Sequence, residues 1–481
     1  LRFDNTYKPF EKMQVNLSVY YTNSNNVSGV NQGFNGVRIN NRVVPYIRFA
    51  DDDGKPLGIS TQYRNAYLDT AGGGLLLDWK FYPLEDYKYD KSKNNVQQIL
   101  ANAQVSYKII KPLNVSLAYQ YQRQWGVSER HARQESYYAR NLINYYSQID
   151  YVAGKVNYIV PTGGILQTSN SQLWSQNVRA QVDFNEEWGN HALSLLTGFE
   201  VREVRSGGSS STVYGYIEDP LSFSSVDYAT RYPNIVTKSL SGIPGRPAVN
   251  PTITDRFVSM YANAAYTFMK RYTASISGRK DGANTFGLST NDKWNPLWSV
   301  GMAWDISREQ FYNVSWLPNL KLRTTVGYSG NVDLSMSPLP VASSLLSNPI
   351  TRFPVLRIGT INNPSLRWEK VRQTNIGIDF STRRNRISGS LEIYFKKSVD
   401  LYGDAPYDYT TWGSNGTIVR NVASIKGNGV DLSIQSLNID KEFKWTTNFL
   451  LNYNYNETVA YRSEEHTSEL QSLTNLVCRL L

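Results

Sequence analysis

The residues able to do chemistry are few and scattered. Asp51, Asp52 and Asp53, followed by Gly54, form the one dense carboxylate run. Hard oxygens of this kind could hold Ca²⁺, but the run lacks the ligand spacing and distal Glu of an EF-hand loop. Its composition reads better as a polar turn in an outer loop. His131 and His191 stand alone, one in a loop and one at a turn, with no His or Glu at ligand spacing. They read as solvated side chains, so no metal site is expected. No nucleophile elbow or P-loop is present, and no cofactor is expected. Carboxylates are plentiful, which leaves a glycosidase-type pair open at this level. The aromatic segments carry more information. Tyr137, Tyr138, Tyr145 and Tyr146, and the run from Tyr402 through Tyr407, Tyr409 and Trp412, mix rings with Asp, Asn and Thr. Flat rings stack on sugar faces while amide and carboxylate groups bind hydroxyls, so these are candidate ligand contacts. The same amphipathic rings serve loop packing and rim anchoring equally well.

Composition narrows the elements that must position them. The chain has 481 residues, 50 Lys+Arg, 40 Asp+Glu and a net charge of +10; aromatics make up 13% and charged residues 19%. Aromatic and β-branched content is too high, and charge too low, for disorder. One Cys excludes a disulfide framework. No apolar run approaches the length of a membrane-spanning helix. The basic residues form no dense patch, so no nucleic-acid partner is expected.

The dominant period is two. Met13, Val15, Leu17, Val19 and Tyr21 alternate with Gln14, Asn16, Ser18 and Tyr20. Ala101 to Ile109 and Leu113 to Tyr121 repeat the pattern around a tight turn at 111–114. About thirteen such strands can be counted, each about ten residues long, the span a tilted transmembrane strand needs. Connections alternate between short polar turns (111–114, 270–271, 382–386, 438–442, with Lys8–Phe10 as another) and long loops (22–98, 126–173, 203–255, 330–372, 397–426). Short turns on one rim and long loops on the other are the habit of outer-membrane barrels. Arg179, Lys108, Lys321 and Arg323 fall on the inward parity. The expected fold is therefore all-β, an antiparallel transmembrane β-barrel. A soluble β-sandwich or propeller is the competing architecture. A soluble carbohydrate-binding or carbohydrate-active β protein is the competing function.

The last twenty residues break the pattern. RSEEHTSELQS, from Arg462 to Ser472, resembles a sequencing-adapter oligonucleotide translated in frame. The expected division is 1–461 as barrel and 462–481 as a non-native tail. Without the tail, 48 basic and 37 acidic side chains remain, a net of +11, and the single Cys disappears.

Several segments together resemble one family. SGRKDGANTFG from Ser277, KWNPLWSVGMAWDISREQF from Lys293, LPNLKLRTTVGYSGN from Leu317, NPSLRWEKVRQTNIGIDF from Asn363 and NVASIKGNGVDLSI from Asn421 resemble the barrel of SusC/RagA-type TonB-dependent outer-membrane transporters. The resemblance implies a 22-stranded barrel around an N-terminal plug. It implies energy from the TonB–ExbB–ExbD complex, a SusD-like surface lipoprotein as partner, and import of nutrient without enzymatic chemistry. The nutrient class is glycan or oligosaccharide, with peptide as the alternative. Within its motifs, Arg279, Asp281 and Gly282 are expected at the lumen or rim, where plug contact is a second reading. No signal peptide, TonB box or plug is legible. The chain is therefore expected to be an incomplete barrel, inactive by itself.

Overall fold

The structure is a computed structural model. It describes residues 1–461 apart from 31–37, 40–41, 44–45, 60, 285–293, 334–338, 346–350, 352, 362, 364, 407–409 and 411–415. The main sheet has 15 strands. Fourteen of them follow one another as an uninterrupted antiparallel meander. They are β1 (Arg2–Phe10), β2 (Met13–Gly29), β3 (Asp90–Ile110), β4 (Leu113–Ala132) and β5 (Gly164–Trp188). Then come β6 (His191–Ile217), β7 (Ala248–Phe268), β8 (Tyr272–Ala283), β9 (Trp294–Asp305) and β10 (Asn319–Asn331). The last are β11 (Glu369–Ser381), β12 (Ile387–Pro406), β13 (Thr417–Asp440) and β14 (Lys444–Tyr461). The remaining strand, Ser222–Ser224, adds to the end of β6. Among the described residues, β1 and β14 do not pair with each other.

Alternation produces this sheet because residues directly opposite in antiparallel strands point to the same side. One face is an apolar belt that runs from strand to strand in register. Leu195 lies opposite Ala264, which lies opposite Ile276, then Val300, then Val326. Farther along, Ile376, Ile393, Val430 and Tyr453 continue it. These side chains have no protein layer over them: Ile276 is 59% and Met302 63% exposed. Leaving a single large apolar side chain in water forfeits about 1.5–3 kcal/mol. A belt this extensive therefore requires lipid. No second sheet packs on it among the described residues, which removes the sandwich alternative.

Three details differ from the sequence expectation. The strands are longer than about ten residues: β5 has 25 and β6 has 27. Residues assigned to loops, such as 90–98 and 126–132, continue the ladder with polar side chains on both faces. Lys8–Phe10 lies inside β1, and the turn falls at 11–12. β9 is an additional strand. Pro296 interrupts its pattern, while Leu297 and Ala303 place apolar groups on the polar side.

The long connections gather at one end, and three of them build a small lobe. Its core holds Ala139, Ile143, Tyr146, Val160, Ile165, Tyr214 and Ile243. At its centre is a helix, Tyr137–Tyr146. Ser136 caps it, its hydroxyl accepting from the Ala139 N–H at 3.2 Å.

Candidate functional site

Two regions can meet a ligand: the polar face of the wall and the lobe above it. The polar face is a network of side chains held across strands. On β5 and β6, Arg179 donates to Glu200 at 2.9 and 3.1 Å, and Asn177 donates to the other Glu200 oxygen at 2.9 Å. Ser277 and Ser299 share a hydrogen bond of 2.6 Å between β8 and β9. Arg323 on β10 reaches over Gly377 on β11. It pairs with Asp379 at 3.0 Å and with Glu392 on β12 at 3.1 Å. Arg323, Gly377 and Glu392 are successive register partners. A Cβ at Gly377 would stand 3.1 Å from the guanidinium carbon. Glycine therefore makes room for a side chain that spans three strands.

The motif residues Arg279, Asp281 and Gly282 lie near the loop end of β8. Arg279 donates to both Asp281 oxygens at 2.7 and 2.9 Å and to the Ser259 hydroxyl at 2.9 Å. Its guanidinium also lies 5.8 Å from the Tyr261 ring. Both charges thus sit on the polar face, and Gly282 receives the Trp294 ring on the other side.

The four helical tyrosines are not equivalent. Tyr137 is mostly buried, its hydroxyl 2.5 Å from that of Thr61, and burial pushes its ionisation upward. Its N–H donates to the Asp86 carboxylate at 2.5 Å. Tyr138 lies under the Arg130 guanidinium at 4.4 Å and accepts a hydrogen bond from Gln167 at 3.0 Å. Arg130 makes a two-pronged pair with Asp90, donating at 2.8 Å through Nε, and Asp90 is 1% exposed. Tyr146 is enclosed in the core and donates to the Gly242 carbonyl at 2.5 Å. Tyr145 stacks edge-on against it, with centroids 5.2 Å apart. Tyr407, Tyr409 and Trp412 lie outside the described residues. Tyr402 donates to the Arg367 carbonyl at 2.8 Å.

The remaining candidates are structural in placement. An oxygen of Asp51 accepts from the N–H groups of Asp53 and Lys55 at 3.1 and 2.8 Å, closing a turn at Gly54. His131 packs edge-on against Tyr216, and His191 stacks on Trp188 at 5.5 Å. Sequence reasoning missed how the loop 75–82 is sewn to the helix. Asn144 exchanges two hydrogen bonds with Leu77, at 3.0 and 2.8 Å. Arg140 donates to the Asp78 and Lys80 carbonyls at 2.9 and 3.2 Å. The available signal was the i, i+4, i+7 spacing of Ala139, Ile143 and Tyr146 after Ser136.

A wall with a lipid-facing apolar belt, a hydrogen-bonded polar face and long loops on one rim defines an outer-membrane β-barrel. The family described as TonB dependent receptor-like, beta-barrel matches residues 58–475. The chain belongs to this family, whose members are receptors and transporters rather than enzymes. TonB-dependent receptor P39 of Formosa agariphila is 27% identical over 379 residues, 76% of this chain and 33% of the relative. TonB-dependent receptor SusC of Bacteroides thetaiotaomicron is 29% identical over 210 residues, 42% of this chain and 20% of the relative. The solved RagAB peptide transporter superposes with a TM-score of 0.73 at 19% identity, covering 96% of this chain and 47% of that one. The SusC/RagA-type resemblance therefore holds. The chain spans about a third or less of the curated relatives and just under half of that solved chain.

Proposed function

We propose that this chain is part of the wall of an energised nutrient importer. The complete protein takes up glycan or oligosaccharide across the outer membrane. It works with a SusD-like lipoprotein over the loop rim, and the TonB–ExbB–ExbD complex acts through a plug. The observation that carries the reading is the two-faced wall: a continuous apolar belt outside, and a face of paired charges and amides inside. Arg279 and Asp281 suit a plug-contact role because they pair on the polar face near the loop end. Tyr138 and Tyr145, at the margin of the lobe core, with Tyr407, Tyr409 and Trp412, are the proposed ring platform for sugar.

The test uses the complete gene product. Uptake of oligosaccharide should vanish when TonB is deleted or the proton gradient collapsed, and persistence under both would overturn the reading. Replacing Tyr409 and Trp412 with Ala should weaken oligosaccharide binding, and unchanged affinity would count against the sugar platform. Peptide as cargo is the second reading, favoured by the fold shared with RagAB. Competition between peptides and oligosaccharides for uptake separates the two. Residues 462–481 are read as a non-native tail, although the family match runs to residue 475. Resequencing the locus from genomic DNA tests this, and recovery of RSEEHTSELQS would overturn it.

A further inference from the structure

On the outer face of the wall, one row of register partners changes character partway round. Trp298 on β9 lies opposite Tyr328 on β10, their rings 5.3 Å apart. Tyr328 lies opposite Arg372 on β11, Arg372 opposite Lys397 on β12, and Lys397 opposite Lys426 on β13. Two aromatics are thus followed by three cations at one height, and Glu457 on β14, opposite Lys426, closes the row. Arg372, Lys397 and Lys426 line an open cleft of about 460 Å³ together with Phe395 and Tyr455, and Glu457 lines its β14 side.

The height of the row can be estimated. Nine residues separate Arg372 from Ser381 at the turn end of β11. At about 3.4 Å per residue that is about 30 Å along the strand. A tilt of roughly 40° reduces it to about 23 Å across the membrane, close to the roughly 25 Å apolar band of such barrels. The cations therefore stand at the loop-side border of the belt, at headgroup level, as Trp298 and Tyr328 beside them independently mark.

Elsewhere on the outer face, several basic side chains near this border have partners. Arg123 lies over Trp125 at 4.4 Å, Arg205 over Trp174 at 5.0 Å and Lys280 over Trp294 at 5.5 Å. Arg256 pairs with Glu203 at 2.6 Å. Arg372, Lys397 and Lys426 make no ion pair with any described residue; Glu457 stands opposite Lys426 without closing one, so the cleft keeps a net positive charge. Like charges on adjacent strands repel, and an anion between them removes that cost.

We propose that this row is a binding site for a phosphorylated lipid of the outer leaflet, the phosphate held by Arg372, Lys397 and Lys426 and the acyl chains lying along the belt beneath. The inference rests on the outer-membrane placement of the barrel. The complete protein is tested in nanodiscs of phosphatidylcholine doped with phosphorylated lipid A or with its dephosphorylated form, reading retained lipid by native mass spectrometry. Each basic side chain at an anionic membrane surface contributes roughly fivefold, so R372Q/K397Q/K426Q should bind phosphorylated lipid A roughly 100-fold more weakly. K441Q/K444Q, at the opposite rim, should bind as the parent does. Heat-modifiable gel mobility reports folding separately. If the triple variant does not fold, K397Q alone carries the test, with a loss of roughly fivefold. A folded triple variant with undiminished binding overturns the proposal. So does equal retention of the dephosphorylated lipid, an equal loss in the opposite-rim variant, or complete displacement by inorganic phosphate. Loss of heat-modifiable mobility in the parent would instead refute the barrel reading.

Discussion

At the scale of the residue, the buried pair Asp90–Arg130 and the carboxylate of Asp86 are the most exposed to test. Asp90 is 1% exposed and Arg130 is its ion-pair partner. Removing one member of a buried pair typically costs 3–5 kcal/mol because the other charge is stranded. Arg130→Met should destabilise the lobe by about 3 kcal/mol, and adding Asp90→Asn should recover much of that in a double-mutant cycle read by hydrogen exchange at 75–82 and 137–146. Asp86 behaves differently. Burial raises its pKa above the usual 3.8, against the opposing pull of the Tyr137 N–H. The folded lobe then holds this proton more tightly than the unfolded chain. Its contribution to stability grows as pH falls through the raised pKa and levels off below 3.8. Asp86→Asn keeps an acceptor for the Tyr137 N–H and should flatten this part of the profile. The measurement is the difference between parent and variant across that window, and an unchanged slope contradicts it.

At the scale of the element, the strands show what a sequence can and cannot disclose. Thirteen of the fourteen meander strands carry a period of two strong enough to read, since one face must meet lipid and the other must not. β9 does not, because Pro296 and the inward Leu297 and Ala303 blur both faces. The upper halves of β3 to β6 read as loops for a related reason: beyond the membrane nothing demands an apolar face, so the alternation fades while the ladder continues. The helix Tyr137–Tyr146 reads first as an aromatic cluster, since Tyr and Asn are weak helix formers and tertiary packing holds them; its helical signal is confined to the Ser136 cap and the spacing of Ala139, Ile143 and Tyr146. Register is the least legible property. Arg372, Lys397 and Lys426 lie on three strands and become neighbours only once the pairings are known. Gly377 gives an element-scale prediction. Gly377→Val should push Arg323 off Glu392 and lower barrel stability by about 1 kcal/mol, with Gly377→Ala milder. Thermal unfolding followed by gel mobility measures it, and equal midpoints for parent and Val variant would refute the crossing.

At the scale of the whole molecule, the belt sets the orientation in the membrane. Trp298 and Trp445 face outward and are 45% and 53% exposed. With single-tryptophan versions of the complete protein in bilayers, brominated acyl chains should quench both, while Trp79, buried in the loops at 3% exposure, should stay bright. Comparable quenching of all three would contradict the placement. Heat-modifiable mobility and outer-membrane fractionation test the same geometry without spectroscopy.

The length of β6 has a mechanical consequence. Twenty-seven residues at about 3.4 Å each make a strand of about 90 Å, of which a membrane crossing uses only 9–11 residues. Its hydrogen bonds to β5 and β7 continue far along the projecting part. The wall therefore acts as a stiff mast: the lobe is a platform held clear of the headgroups, and it can tilt only by unzipping the ladder beneath it. A load applied to that platform is carried down to the belt as shear between strands, so the loops and the membrane-embedded wall respond to force as one body.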